Sequence, residues 1–267
     1  MIKIDALDKY YGDFHVLKNL SLNINKGDIF GLIGKNGAGK TTIFKIILGL
    51  SDYKDGNLSI IGSENNTDLQ KKRKEIGFFI GKNFFDYLNA KDNLKYYSKL
   101  KGIKGEDEID RVLKIVGLSG VNSKYRSFSM GMKQRLGIAN AILGNPSILI
   151  LDEPINGLDP QGIADVRELI KKLNHEYDMT IIVSSHILGE LENTATRFGI
   201  VHEGRVLKEI TNDELDLSVD SVEISVDDLN KARKILLDNN IKITDEKSIS
   251  KGLEQYYFEL VGGKKND

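Results

Sequence analysis

The sequence predicts an α/β fold: a parallel sheet covered by helices on both faces, preceded by an antiparallel β subdomain, interrupted by a helical insertion and followed by a small α+β appendage. Three observations predict it. Residues 28–33 (Asp-Ile-Phe-Gly-Leu-Ile), 147–151 (Ser-Ile-Leu-Ile-Leu) and 179–183 (Met-Thr-Ile-Ile-Val) are short, nearly continuous apolar runs, the pattern of strands buried on both faces. Helix-period segments alternate with them, as in a parallel sheet. Residues 20–25 (Leu-Ser-Leu-Asn-Ile-Asn) instead alternate apolar with polar, which fits half-buried antiparallel strands.

In chain order, the antiparallel part runs to a turn at Lys26-Gly27, and the first buried strand follows. Residues 43–49 form a helix that ends on Gly49. From about 82 to 144 the pattern is helical, with Leu94, Tyr97 and Leu100 in one segment and Ile109, Val112, Leu113 and Val116 in the next. Phe84, Phe85, Tyr87 and Leu88 offer more apolar surface than a loop needs, so they serve either this chain's own core or a groove for a partner's helix. The later buried strands end on Asp152-Glu153 and on Ser184-Ser185-His186. Past Thr211 the character changes. An alternating strand at 222–226 precedes a helix carrying Leu229, Ala232, Ile235 and Leu236, capped by Asp227 or Asp228 and ended by Asn239-Asn240. A strand at 241–243 and a helix at 253–260, stopped by Gly262-Gly263, complete the chain; Tyr256, Tyr257 and Phe258 read first as packing for this unit and only then as a partner surface. The domain expectation is therefore 1–212, with its insertion, and 213–267.

Composition narrows the function classes. Thirty-eight Lys and Arg balance 39 Asp and Glu, for a net charge of −1, which gives no electrostatic case for nucleic acid as a partner. No cysteine is present among the 267 residues, so disulfides, thiolate catalysis and Cys-ligated zinc are excluded. Residues 1–5 lack a signal peptide's apolar region, and no apolar run approaches the roughly 18 residues of a membrane span. A membrane role therefore requires a partner.

Gly34-Lys35-Asn36-Gly37-Ala38-Gly39-Lys40-Thr41-Thr42 lies between the first buried strand and its helix and fits the pattern of a loop that wraps nucleotide phosphates. Its glycines let backbone N–H groups converge on phosphate oxygens, helped by the positive end of the helix. Lys40 is a point charge for the terminal phosphates, and the Thr41 hydroxyl suits Mg²⁺. Asp152 and Glu153 sit at a strand end, where an open parallel sheet presents ligand-binding groups. One of these carboxylates suits Mg²⁺ and the other the polarisation of water. Ser129 and Gly131, at the start of a helix with Leu136, Ala139, Ile142 and Leu143, read either as a second anion site or as an ordinary serine cap.

The segment Ser127-Phe128-Ser129-Met130-Gly131-Met132-Lys133-Gln134-Arg135 resembles the signature motif of ATP-binding cassette ATPases, with Met130 and Met132 replacing the usual glycine and glutamine. The other cassette elements follow in the family's order from Met1 to about Thr211. Tyr11 resembles the aromatic that stacks on adenine, Asp159 in Asn156-Gly157-Leu158-Asp159-Pro160 the aspartate that communicates between subunits, and His186 the histidine that contacts the terminal phosphate. The signature variant and the Tyr-Phe-Glu-Leu ending before Gly262 are similar to the bacitracin and lantibiotic self-protection branch.

The resemblance implies a RecA-like P-loop NTPase core, ATP and Mg²⁺, and a homodimer or cassette pair in which ATP lies between one copy's phosphate loop and the other's Ser129 and Gly131. It also implies an integral membrane permease as partner and a place at the cytoplasmic face of the membrane. Catalysis falls to Glu153 and His186, and metal binding to Thr41 and Asp152. The implied activity is ATP hydrolysis that drives transport, with export of a peptide antibiotic or similar amphipathic compound. One residue departs from the pattern: Gly81 stands where the family has glutamine or glutamate. Asn83 or Asp86 are the nearby substitutes, and a nucleotide switch with weak turnover is the rival reading. A soluble non-transport cassette is a further rival, though such proteins carry tandem cassettes or a long coiled coil, which this chain lacks.

Overall fold

The computed structural model describes residues 1–81, 84–186, 188–212, 214 and 226–239. Residues 222–225 of the first sequence-based strand past Thr211, the strand at 241–243 and the helix at 253–260 lie outside them, and Val226 is described without strand structure. The chain divides into two units, Met1–Leu217 and Ser218–Asp267.

The first unit opens on a three-stranded antiparallel sheet of β1 (Ile2–Tyr11), β2 (Phe14–Ile24) and β4 (Asp55–Ile60), in the order β2-β1-β4. Alternation in the sequence becomes alternation in burial: Leu20, Leu22 and Ile24 face the core, and the residues between them face solvent. The second sheet has six strands, β3 (Ile29–Ile33), β5 (Ile76–Phe79), β6 (Ile148–Asp152), β7 (Thr180–Ser185), β8 (Arg197–His202) and β9 (Arg205–Thr211), in the order β5-β6-β7-β3-β8-β9. Its first five strands pair in parallel, and β9 returns antiparallel to β8. The turn between those two uses Glu203 and Gly204, both at positive φ, the backbone that suits a two-residue hairpin.

Continuous apolar strands bury both faces. In β6, Leu149 and Leu151 join one core cluster, and Ile148 and Ile150 join the other. The first cluster takes in the helical insertion, built from α3 (Ala90–Leu100), α4 (Asp107–Ile115) and α5 (Met130–Ala141), together with α6 (Pro160–Tyr177). The second takes in α1 (Lys40–Ile47) and the antiparallel sheet; α2 (Asn66–Lys72) contributes Leu69. The short α7 (Leu188–Glu192) follows β7. Each fully buried large side chain contributes about 1.5–3 kcal/mol, so these two clusters hold the sheet between its helical and β layers.

The partner-or-core question at residues 84–88 divides residue by residue. Phe84 packs on Tyr97 and Tyr125, with ring centroids 5.5 and 5.3 Å away, and joins the first cluster. Tyr87 remains 65% exposed. Buried Asn93 holds this loop against α3: its Nδ2 donates to the carbonyls of Phe85, Leu88 and Asn89, and its Oδ1 accepts from the Phe85 N–H.

Past Thr211, Asn212 Nδ2 donates to the Ala195 carbonyl at 2.9 Å, and Glu214 accepts from the Thr211 N–H. In the second unit the described residues form α8 (Leu229–Asp238); Asp228, the second of the two candidate caps, accepts from the Lys231 N–H at 3.0 Å.

Candidate functional site

The phosphate loop spans the gap between β3 and α1. Gly39, the N-cap of α1, has φ +110°, and an added Cβ would lie 2.7 Å from Leu17, so only glycine fits. No side chain caps the helix and its first turn holds no acidic residue. Its N-terminal N–H groups remain available to an anion. Lys40 is only 5% exposed; its Nζ donates to the Gly34 carbonyl at 2.5 Å and to that of Lys35 at 3.3 Å. The loop thus restrains the charge that phosphates need.

The ends of β6 and β7 complete the cleft. Thr41 Oγ1 donates to Asp152 Oδ2 at 2.8 Å, and Ser184 Oγ donates to Asp152 Oδ1 at 2.6 Å. The Ser184 oxygen also accepts from the Glu153 N–H at 3.0 Å. Glu153 has φ +51°, a conformation rare for non-glycine residues that persists where neighbours enforce it, often at functional sites. Its Oε1 lies 3.3 Å from His186 Nδ1 and 3.8 Å from Lys40 Nζ, and its Oε2 accepts from Asn156 Nδ2 at 3.1 Å. The cleft of about 370 Å³ is lined by Thr41, Phe79, Gly81, Gln134, Asp152, Glu153 and Asn156.

The Thr41 hydroxyl and the Asp152 carboxylate are hard oxygen donors on one wall. Among the described residues no group of three or more His, Asp or Glu side chains converges on a metal position. An ion here would draw its other ligands from phosphate and water, a donor set that fits Mg²⁺.

Tyr11 is exposed, and its hydroxyl lies 3.4 Å from Ser51 Oγ. Side-chain hydrogen bonding, to Ser51 first and then to Thr42, holds its phenol below the ordinary tyrosine value. The ring therefore stands near the phosphate loop. Ser129, Gly131 and Asp159 occupy a different cleft, also of about 370 Å³. Ser129 caps α5, accepting from the Met132 N–H at 3.2 Å, and Asp159 caps α6, accepting from the Gly162 N–H at 3.0 Å. The structure thus brings Lys40, Thr41, Asp152, Glu153 and His186 together and leaves Ser129, Gly131 and Asp159 apart.

Of the suggested substitutes for the side chain missing at position 81, Asp86 does not line the cleft; its carbonyl accepts from the Arg126 N–H instead. Asn83 lies outside the described residues. Sequence reasoning missed Ser184, Asn156 and Gln134. Ser184 was detectable only through strand register, which pairs it with Asp152.

Comparison with known proteins agrees with this geometry. The family model for the ABC transporter matches residues 17–156, more than half the chain. The bacitracin transport ATP-binding protein BcrA of Bacillus licheniformis is 42% identical over 267 aligned residues, covering 97% of this chain and 86% of the relative. The lantibiotic transport ATP-binding protein SrtF of Streptococcus pyogenes is 43% identical, covering 78% and 90%. Among solved structures, the dimeric post-hydrolysis state of the cassette MJ0796 bound to ADP and Pi superposes with a TM-score of 0.70 at 28% identity, covering 79% of this chain and 99% of that one. With the phosphate loop, the paired carboxylates and the signature helix all in place, the chain belongs to the ABC transporter family, as an ATP-binding and ATP-hydrolysing subunit.

Proposed function

We propose that two chains close on ATP, each contributing its phosphate loop to one site and its Ser129 and Gly131 to the other. The observation that supports this reading is the separation within one chain of two clefts, one lined by Thr41, Asp152 and Glu153 and the other by Ser129, Gly131 and Asp159: two half-sites of this kind call for a symmetric, isologous pair. Tyr11 stacks on the base. Lys40 and the N–H groups from Gly34 to Thr42 hold the phosphates. Thr41 and Asp152 would hold Mg²⁺, which when bound neutralises phosphate charge. Glu153 accepts a proton from the attacking water, and His186, beside the same carboxylate, contacts the terminal phosphate. Asp159 communicates between the two chains. Loss of that phosphate weakens the closed pair and resets the membrane partner.

The partner is an integral membrane permease, which holds this chain at the cytoplasmic face of the membrane; no described helix of this chain is long and apolar enough to cross one. Tyr87 and Tyr96, exposed beside Phe85 with ring centroids 5.8 and 4.8 Å from it, form an apolar ridge suited to a permease helix. The relatives named for bacitracin and lantibiotic transport support export of a peptide antibiotic or similar amphipathic compound. The unit from Ser218 onward is an accessory domain.

Glu153→Gln should trap ATP in a stable dimer, because Thr41 and Asp152 remain while the proton acceptor is lost. Gel filtration with ATP and Mg²⁺ tests it; a monomeric variant that hydrolyses ATP like the parent overturns the assignment. The bare cleft wall at Gly81 favours a second reading, a nucleotide switch with weak turnover. Phosphate release measured with and without the copurified permease separates the two.

A further inference from the structure

Helix α5 lies very close to β5, because a Cβ on Gly137 would run into the Phe79 ring. One turn earlier on the same helix, Gln134 is thereby brought to the cleft, which it lines with Gly81, Thr41, Asp152 and Glu153. The residue is 5% exposed. Its Nε2 donates to the Asn156 carbonyl at 3.5 Å, and Asn156 Nδ2 donates in turn to Glu153 Oε2 at 3.1 Å. Its Oε1 is buried without a partner among the described residues.

A buried, unpaired amide oxygen lowers stability, and an apolar side chain of similar shape would remove the penalty. Retention of the amide beside reacting groups argues for use rather than packing. The wall beside it at Gly81 has no side chain, and an added Cβ there would meet nothing within 4 Å. We propose that Gln134 is a positioning residue for hydrolysis in this chain's own cleft: it steadies the Glu153 carboxylate through Asn156 and supplies from α5 the neutral amide that position 81 lacks. This rests on the role of Glu153 proposed above.

The test uses the full chain with its copurified permease and compares the parent, Gln134→Met, Asn156→Ala, the double variant and Glu153→Gln. Nucleotide affinity, kcat and the thermal midpoint are measured for each. Gln134→Met should keep ATP affinity within about twofold and keep or raise the midpoint, while kcat falls about tenfold. Asn156→Ala should slow hydrolysis similarly, and the double variant should be no slower than the slower single, since both act through one carboxylate. Parental kcat in Gln134→Met overturns the inference, as does a double variant slowed by the product of the two single effects. A lowered midpoint with proportionate loss of affinity also overturns it, by showing a packing role. If Glu153→Gln hydrolyses ATP like the parent, the site assignment itself falls and takes this inference with it. Loss of hydrolysis in Glu153→Gln beside an unaffected Gln134→Met removes the inference alone.

Discussion

A glutamine at position 81 tests how the cleft works without the side chain that its family carries there. Gly81 has φ +74°, and an added Cβ would meet nothing within 4 Å. The cleft therefore has room, but the backbone is left-handed, which costs a non-glycine residue about 1–2 kcal/mol. For a chain of 267 residues that corresponds to a thermal midpoint lower by about 2–8 °C. The expected gain is in rate: one more group orienting the attacking water is worth about tenfold. Strain at residue 81 is present in both ground and transition states, so it lowers stability without cancelling the gain, provided the backbone keeps its course. We expect Gly81→Gln, assayed with the permease, to hydrolyse ATP faster at unchanged affinity and to melt earlier. Gly81→Glu should behave similarly. Gly81→Asn should melt closest to the parent, because asparagine tolerates the left-handed region. Glutamine and glutamate variants that are both slower than the parent at unchanged affinity would refute the reasoning, showing that glycine suits this site and that another residue positions the water.

Ser184→Ala removes a buried hydroxyl 2.6 Å from Asp152; a charge-assisted bond of this kind is worth about 1.5–3 kcal/mol, so both the midpoint and the Mg²⁺-dependent rate should fall, as melting and a Mg²⁺ titration would reveal. Paired bonds of 2.7 Å from Arg111 hold the Glu108 carboxyl below its ordinary value of 4.5. The stabilisation from a depressed carboxyl is complete above the unfolded value and is lost as pH falls through the folded one, so Glu108→Gln should flatten the acid limb of a stability–pH curve below that value. A photocrosslinker at Tyr87 or Tyr96 should capture the permease, and crosslinks confined to residues beyond 211 would remove the proposed ridge.

The phosphate loop and the signature helix were legible because each keeps its chemistry contiguous. Spacing alone placed Lys40 and Thr41 at the end of the phosphate loop, ahead of a helix expected from residue 43, and Ser129 at the start of another; the structure begins α1 already at Lys40 and makes Ser129 the cap of α5. The buried strands were legible for a related reason, since burial on both faces leaves unbroken apolar runs. Strand β9 carries no such run: Val206, Ile210 and Thr211 are half-buried and Leu207 is exposed, so its burial follows neither template. Function was least legible where it depends on register. Ser184 serves two catalytic-cleft groups only because β6 and β7, 28 residues apart by their nearest ends (152 to 180), pair Asp152 with Ser184. Gln134 reaches the cleft only because Gly137 lets α5 settle on Phe79. A motif identifies the groups that touch a ligand. The groups that orient those residues arise from packing between distant segments, and so the cleft's supporting residues emerged only from the fold.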